Sequence, residues 1–234
     1  MIKQKIKGIT YIASDFLAGI KRMTQGLPRY KTDWVGYESL LRVIKRDKIY
    51  ELEGDVVDVG AFLGGGTAKL ARFFGKYNKK VYAIDIFDPA FDKNITEDGT
   101  VISSIYLNVL AQKPYHAFQG RNQYEIYNEV TKKYPNIITI VGDSKYVSLP
   151  CEKLCFSFID GCHDADHVKS DFHLVWPKTV SGGIVGYHDY GVDMPQANPI
   201  QVARAIDELI EANKGDIQKI ERIEEKWVIL LKKK

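Results

Sequence analysis

The sequence has few cysteines, little net charge and no long apolar run. Cys151, Cys155 and Cys162 are its only cysteines, and no two of them form a C-x-x-C pair of the kind found in zinc sites. Because three cysteines cannot all pair with one another, a reducing compartment is the simpler expectation, and we predict a cytoplasmic protein. The formal net charge of +3 is too small to indicate a nucleic-acid or membrane-surface partner.

The first 32 residues lack the features of a targeting or membrane-spanning segment. Ser14 and Asp15 interrupt their apolar residues, so the stretch is too polar for a signal sequence or a transmembrane helix. We therefore predict no membrane span. We interpret residues 1–32 as an N-terminal arm or surface helix, for which a contact between subunits of a homo-oligomer is one open role. Residues 33–234 have the length of one α/β domain with a full core.

The rest of the chain alternates between predicted strands and helices. Strands are predicted near residues 56–59, 81–86, 137–141, 153–159 and 184–187, and helices near 34–48, from 67 onward, and near 123–134, 165–176 and 199–212. This alternation implies a parallel sheet with helices on both faces. A closing antiparallel hairpin is predicted from 217–223 and 227–231. The segment 87–120 is either a lid insertion over the ligand site or a surface excursion.

The first predicted strand ends in a glycine-rich turn that differs from the dinucleotide fingerprint. Its pattern begins Asp58-x-Gly60, and Phe62 stands where G-x-G-x-x-G requires a second glycine. An acid two residues before the first glycine suits a ligand with a cationic amino group. Asp85 follows the last turn glycine, Gly66, by 85 − 66 = 19 residues, close to the roughly 20-residue spacing at which an acid reaches ribose hydroxyls. The turn therefore predicts a nucleoside ligand, with a plain βα turn as the alternative.

A carboxylate lies near the end of each of the five predicted parallel strands. These residues are Asp58, Asp85, Asp143, Asp160 and Asp189. Because ligands of open α/β sheets bind beyond the carboxyl ends of the strands, we expect these side chains to surround one site. Caps and salt bridges are the alternative roles for such carboxylates.

The stretch from the fourth to the fifth predicted strand carries a longer pattern, FSFIDGCHDADHVKSDFHLVWPKTVSGGIVGYHDY. It resembles the F-I-D-G-x-H-x-Y-x-x-V-x-x-D … P-G-G-x-x-x-x-H-D pattern of class I S-adenosylmethionine (SAM)-dependent methyltransferases. The similar branch contains macrocin O-methyltransferase-like and cephalosporin-hydroxylase-like proteins. With the glycine turn, the resemblance spans about residues 55–209. The chain departs from the pattern at Cys162, where an acid is usual, at Ala165, where tyrosine is usual, and at Ser181, where proline is usual.

The resemblance implies an α/β, Rossmann-like class I methyltransferase fold, with a mostly parallel seven-stranded sheet and a C-terminal antiparallel hairpin. It also implies SAM as the cofactor. Asp143 and Ser144 are expected to flank the adenine, and Asp85 is expected to bind the ribose. The cofactor-binding residues that the resemblance implies are Asp58, Gly60, Phe62, Gly64, Asp85, Ile86, Asp143, Ser144 and Asp160.

The resemblance also places Asp160 and Asp189 at the ends of neighbouring strands, where they suit a divalent cation such as Mg²⁺, with His188 as a third ligand. Such an ion would hold the acceptor and lower the pKa of its attacking hydroxyl. His163 is the candidate base, and Asp160 is the second predicted catalytic residue. His167, on the following helix, is interpreted as a surface or packing residue. The implied reaction is O-methylation of a small molecule such as a sugar or a glycosylated natural product.

Three alternatives stay open. A metal-dependent oxygenase of the cephalosporin-hydroxylase type would bind iron through His163, His188 and Asp160, although the SAM-type turn argues against it. A nicotinamide dehydrogenase is disfavoured by Phe62. A non-catalytic SAM-binding protein is consistent with Cys162 at the position where the family pattern has an acid.

Overall fold

The computed structural model describes residues 20, 37–91, 93, 101, 104, 107–108, 121–191, 201–223 and 227–234. These residues contain a seven-stranded sheet of order β3-β2-β1-β4-β5-β7-β6. The strands are β1 Asp55–Val59, β2 Val81–Asp85, β3 Ile137–Val141, β4 Leu154–Ile159, β5 Thr179–Tyr187, β6 Ile217–Ile223 and β7 Val228–Lys233. The first five strands are parallel, and β7 is antiparallel to both β5 and β6. The predicted parallel sheet with a C-terminal hairpin is therefore confirmed.

Five α-helices of the described residues pack on this sheet: α1 Tyr37–Arg46, α2 Gly65–Phe74, α3 Gln123–Thr131, α4 Ala165–Val175 and α5 Val202–Asn213. Val57 of β1 packs with Phe172 of α4 and Ile206 of α5 on one face. Val56 packs with Phe74 of α2 on the other face. Because successive strand residues point to opposite faces, β1 is buried on both sides, as its β-branched sequence predicts.

The fifth strand is longer than the sequence predicts. We expected a turn at residues 181–183, but β5 begins at Thr179 and runs through both glycines. A Cβ on Gly183 would lie 2.9 Å from the carbonyl oxygen of Val180 and 3.1 Å from that of Cys155. Glycine at this position therefore allows close backbone packing within the strand, where the sequence suggested a turn.

Two predictions fall largely on residues that the structure does not describe. The N-terminal arm and its subunit contact lie outside the described residues, apart from Ile20, and so does most of the proposed lid at 87–120. Among the described residues, no helix is both long enough and apolar enough to span a membrane.

Candidate functional site

The sheet positions the site at the point where its strand order reverses. Strands β2 and β3 extend to one side of β1, and β4 and β5 extend to the other side. Ligands of such sheets bind beyond the carboxyl ends of the strands at this break. Gly60 follows β1 with φ +83°, and a Cβ there would lie 2.0 Å from the carbonyl oxygen of Asp160. Glycine is therefore required for the turn to pack against the end of β4.

Asp58 lies beneath the glycine turn, fully buried. Its Oδ1 accepts a hydrogen bond from the Tyr37 hydroxyl at 2.8 Å, and its Oδ2 accepts one from the Thr67 hydroxyl at 2.5 Å. Burial raises the pKa of Asp58 to about 7, although these two hydrogen bonds act in the opposite direction. Both oxygens are already hydrogen-bonded, so direct contact with a ligand would require an oxygen to accept a second bond.

Tyr37 is a site residue that the sequence analysis did not identify. It lies at the start of α1, and its ring covers the first turn of α2, where a Cβ on Gly66 would lie 2.2 Å from a ring carbon. The ring also makes an edge contact with Phe158 of β4, with 5.2 Å between centroids. The α1 helix therefore closes one side of the glycine turn. The sequence signal is weak, because a tyrosine in an amphipathic helix is ordinarily a packing residue.

Asp85 fastens the end of β2 to the glycine turn. Its Oδ2 accepts from the Phe62 backbone N–H at 2.7 Å, and its Oδ1 accepts from the Phe87 N–H at 2.6 Å. The side-chain amide of Gln123 lies 3.3 Å from Oδ1. Burial raises the pKa of Asp85 to about 6, and the three donors partly offset this effect. Ile86, the other predicted residue at this strand end, is half-buried.

Asp143 and Ser144 follow β3, which pairs with β2 in parallel register. Both side chains are half-buried. Asp143 Oδ1 accepts from the Lys145 backbone N–H at 2.9 Å and lies 3.3 Å from His167 Nε2. The structure thus places both predicted adenine-side residues at the strand end beside Asp85.

Two carboxylates and two imidazoles converge at the ends of β4 and β5. His163 Nε2 lies 2.8 Å from Asp189 Oδ2. His188 Nδ1 lies 3.2 Å from Asp160 Oδ1 and 3.1 Å from Asp189 Oδ1. Ligand atoms of Asp160, His163 and Asp189 all lie within 4.8 Å of one another. The predicted set of Asp160, His188 and Asp189 is therefore brought together, and the structure adds His163 to it.

The charges in this cluster favour a cation between the carboxylates. Burial alone would lower the pKa of His188, but Asp160 and Asp189 outweigh burial and raise it to about 10. Burial would raise the pKa of Asp189, but His163 and His188 hold it well below its usual value. Asp189 also has φ +58°, a left-handed conformation that is uncommon outside glycine and is frequent at functional sites. His188 Nδ1 is buried and makes no hydrogen bond of good geometry among the described residues.

A second cluster lies at the N-terminus of α4. Asp164 Oδ2 lies 3.1 Å from Cys162 Sγ and 2.6 Å from His167 Nδ1. Phe91, from the loop after β2, makes an edge contact with the His167 ring at 6.1 Å between centroids. We interpreted His167 as a surface or packing residue, but its side chain is only 12% exposed and joins a polar cluster. Sequence reasoning missed it because the turn before α4 brings Cys162 back towards the helix.

Comparisons with known proteins agree with this geometry. The family model Methyltransf_24, described as a methyltransferase domain, matches residues 57–190, more than half of the chain. No curated protein sequence matches the chain. The O-methyltransferase NovP matches with a TM-score of 0.61 and 18% identity, over 88% of this chain and 84% of NovP. The calicheamicin methyltransferase CalS11 matches with a TM-score of 0.53 and 11% identity, over 94% of this chain and 91% of CalS11.

MycE, a methyltransferase from the mycinamycin biosynthetic pathway solved with Mg, SAH and mycinamycin VI, has a TM-score of 0.51 and 14% identity. That alignment covers 86% of this chain, which spans half the length of MycE. At these identities the solved structures show a shared fold, whereas the family model identifies the domain itself. The chain therefore belongs to the Methyltransf_24 family of methyltransferase domains and is a class I SAM-dependent methyltransferase.

Proposed function

We propose that the protein transfers the methyl group of SAM to a hydroxyl oxygen of a small molecule, such as a sugar or a glycosylated natural product, with the help of a divalent cation. The observation that carries the proposal is the convergence of Asp160, His163, His188 and Asp189 directly beside the glycine turn. The similarity to NovP, CalS11 and MycE supports methyl transfer to a natural-product hydroxyl as the reaction class.

The residues around the glycine turn fit SAM. The turn leads into the N-terminus of α2, and the buried Asp58 beneath it carries negative charge once the pH exceeds its pKa of about 7. We assign the ribose hydroxyls to Asp85, which already orders the turn through Phe62. We assign the adenine amine to Asp143 Oδ2, since Oδ1 is occupied by Lys145. Gly60, Phe62, Gly64, Ile86, Ser144 and Asp160 complete the proposed cofactor contacts.

The cluster at the ends of β4 and β5 fits a divalent cation. Asp160 and Asp189 would hold Mg²⁺ through carboxylate oxygens, and His188 would complete the protein ligands. When bound, the ion would hold the acceptor oxygens and lower the pKa of the attacking hydroxyl. Asp160 and Asp189 raise the pKa of His188 to about 10, so the two carboxylates favour positive charge between them, and a metal ion bound to His188 would take the place of its proton.

We assign His163 as the base that takes the proton of the acceptor hydroxyl. Its Nε2 faces Asp189 at 2.8 Å, and this carboxylate orients the ring and stabilises the imidazolium that forms. The remaining task of the protein is alignment of the acceptor oxygen, the methyl carbon and the sulfur, because the sulfonium methyl is already activated. Asp160 lies where it can position both the cation and the methyl donor, since its backbone contacts Gly60.

One observation favours a second candidate, the metal-dependent oxygenase. The structure brings His163 and His188 together with a carboxylate, and two histidines with one carboxylate form the facial triad of non-haem iron oxygenases. Membership of the methyltransferase family favours methyl transfer. Oxygen uptake in the presence of Fe²⁺ and a candidate acceptor distinguishes the two, because methyl transfer consumes no oxygen.

The test of the proposal is methyl transfer from labelled SAM to a panel of sugars and glycosylated natural products. The full chain is assayed after exhaustive chelation and after addition of Mg²⁺, Mn²⁺ or Fe²⁺. We expect labelled product that depends on the added cation and is lost in Asp160→Asn and Asp189→Asn. Labelled product at full rate in the chelated protein would remove the cation from the mechanism and leave His163 as the base. Transfer to nitrogen acceptors alone would contradict the O-methylation proposal.

A further inference from the structure

We propose that Cys162 Sγ, Asp164 Oδ2 and His167 Nδ1 form a second metal site, which binds a soft divalent ion of the Zn²⁺ class. These three ligand atoms lie within 4.8 Å of one another. The site is separate from the cluster of Asp160, His163, His188 and Asp189, which we call the carboxylate cluster. Cys162 and His163 are adjacent in sequence, but Cys162 faces Asp164, whereas His163 faces Asp189.

Three potential ligands come from a single turn of the chain. Asp164 Oδ2 is hydrogen-bonded to Cys162 Sγ at 3.1 Å and to His167 Nδ1 at 2.6 Å, and a metal ion would take the place of these two hydrogen bonds. Thiolate, imidazole and carboxylate are the three ligand types that Zn²⁺ uses in proteins, and three protein ligands leave a fourth position for water. The spacing Cys162-x-Asp164-x-x-His167 allows this because α4 begins at Ala165 and carries His167 back over the turn.

A simple helix cap does not account for the whole cluster. Asp164 is the N-cap of α4, and its Oδ1 accepts the His167 backbone N–H at 2.9 Å. The cap therefore uses Oδ1, whereas the contacts to Cys162 and to the His167 ring use Oδ2. One carboxylate can thus cap the helix and bind a metal ion at the same time.

Asp143 provides the outer contact that metal-binding histidines usually have. Its Oδ1 lies 3.3 Å from His167 Nε2, the ring nitrogen opposite the proposed ligand atom. A carboxylate on the second nitrogen fixes the ring and raises its basicity as a ligand. Nε2 is buried and has no hydrogen bond of good geometry among the described residues. We expect metal binding at Nδ1 to turn the ring so that Nε2–H donates to Asp143.

A further buried carboxylate follows the cluster on α4. Asp171, one turn further along α4, is fully buried, and neither of its carboxylate oxygens has a hydrogen-bond partner of good geometry among the described residues. Burial raises its pKa to about 7, the nearby Ser144 hydroxyl and His167 act in the opposite direction, and Asp143 and Asp164 raise the pKa further. A dication at the cluster would offset this concentration of carboxylates.

Binding of a divalent ion at this site conserves protons and leaves no net charge on the complex of the ion with its ligands. The Cys162 thiol loses its proton, Asp164 binds as a carboxylate and His167 binds as neutral imidazole, so one proton is released and the two anionic ligands neutralise the dication. The Phe91 ring lies against the His167 ring, with 6.1 Å between centroids. The three residues lie close to the predicted adenine side of the cofactor site through Asp143.

The test is a Co²⁺ titration of the reduced, chelator-treated full chain. Co²⁺ replaces Zn²⁺ and gives a thiolate-to-metal charge-transfer band only when sulfur is a ligand, so the carboxylate cluster, which has no sulfur, is silent. We expect one band-forming Co²⁺ per chain, about one proton released per ion, and loss of the band on addition of Zn²⁺ but not of excess Mg²⁺. Absence of the band in the parent chain, or its displacement by Mg²⁺, would overturn the proposal.

Variants assign the ligands. Cys162→Ser should abolish the band, whereas Cys151→Ser should keep it, because Cys151 is buried just before β4 and takes no part in the cluster. His167→Gln should weaken Co²⁺ binding at least about 10-fold, and Asp143→Asn should weaken it by about 10–100-fold, as loss of an outer carboxylate does. Circular dichroism confirms that each variant is folded. A band of unchanged strength in folded Cys162→Ser or His167→Gln would show that the cluster is not the metal site.

Discussion

Replacing Tyr37 with phenylalanine tests whether α1 stabilises the glycine turn through Asp58. The change removes the hydroxyl that donates to Asp58 Oδ1 at 2.8 Å and keeps the ring that packs on α2. The pKa of Asp58 is about 7, so the carboxyl is protonated at pH 5 and ionised at pH 9. A hydrogen bond to a charged group is worth about 1.5–3 kcal/mol, and one to a neutral group is worth about 0.5–1.5 kcal/mol.

The free energy of unfolding should therefore fall by about 1.5–3 kcal/mol at pH 9 and by about 0.5–1.5 kcal/mol at pH 5. The difference of about 1 kcal/mol corresponds to a rise of roughly one unit in the folded-state pKa of Asp58. Because this pKa is raised from 3.8 to about 7, the parent chain is itself expected to lose stability as pH rises through that interval. The sign follows from the folded state binding more protons than the unfolded state there.

Urea unfolding at the two pH values measures both numbers, with Tyr50→Phe as the matched control. Tyr50 packs against Phe73 and Tyr77, and its hydroxyl has no hydrogen bond among the residues that the structure describes. The control should change the free energy of unfolding by less than about 0.5 kcal/mol. An equal cost of Tyr37→Phe at pH 5 and pH 9, or a cost no larger than that of the control, would refute the reasoning.

Two further predictions concern Asp85 and Asp171. Asp85→Ala should weaken SAM binding about 10–150-fold in calorimetry, since loss of a charged acceptor costs about 1.5–3 kcal/mol. Asp88→Ala is the control: it removes an exposed contact to the Ala90 N–H and should leave SAM binding unchanged. Equal affinities for Asp85→Ala and the parent would remove Asp85 from the cofactor site. Asp171→Asn in the metal-free chain should raise the free energy of unfolding more at pH 9 than at pH 5, because burial raises the pKa of Asp171 from 3.8 to about 7 and the cost of ionising it accumulates as pH rises through that interval. Urea unfolding at both pH values measures this, and a destabilised variant at pH 9 would show that Asp171 is paired in solution.

The strands and the glycine turn were predictable because their signals are local. A short stretch of chain contains the β-branched run of β1, the turn glycines and Asp85 at the end of β2. Its structure is determined by the two-residue periodicity of strands and by turn chemistry. The carboxylates at the strand ends followed from the parallel order of the sheet. The predicted start of β5 was wrong, because backbone packing around Gly183 determines the structure there.

Side-chain partners were the part that the sequence could not provide. Tyr37 reaches Asp58 across 21 residues, and this contact depends on how α1 packs over α2. The pairing of His163 with Asp189 depends on the register of β4 and β5, together with the left-handed backbone at Asp189. Periodicity gives the buried face of an element, but it does not say which of the buried polar groups meet there.

A crystal structure of the full chain with SAH and Mn²⁺ tests the central claim most directly. The proposal predicts SAH across Gly60 and Gly64, with its ribose at Asp85, and an anomalous Mn²⁺ peak in contact with carboxylate oxygens of Asp160 and Asp189. SAH bound away from the glycine turn would contradict the cofactor assignment. SAH at the turn with no Mn²⁺ peak at the two carboxylates would contradict the cation-assisted mechanism.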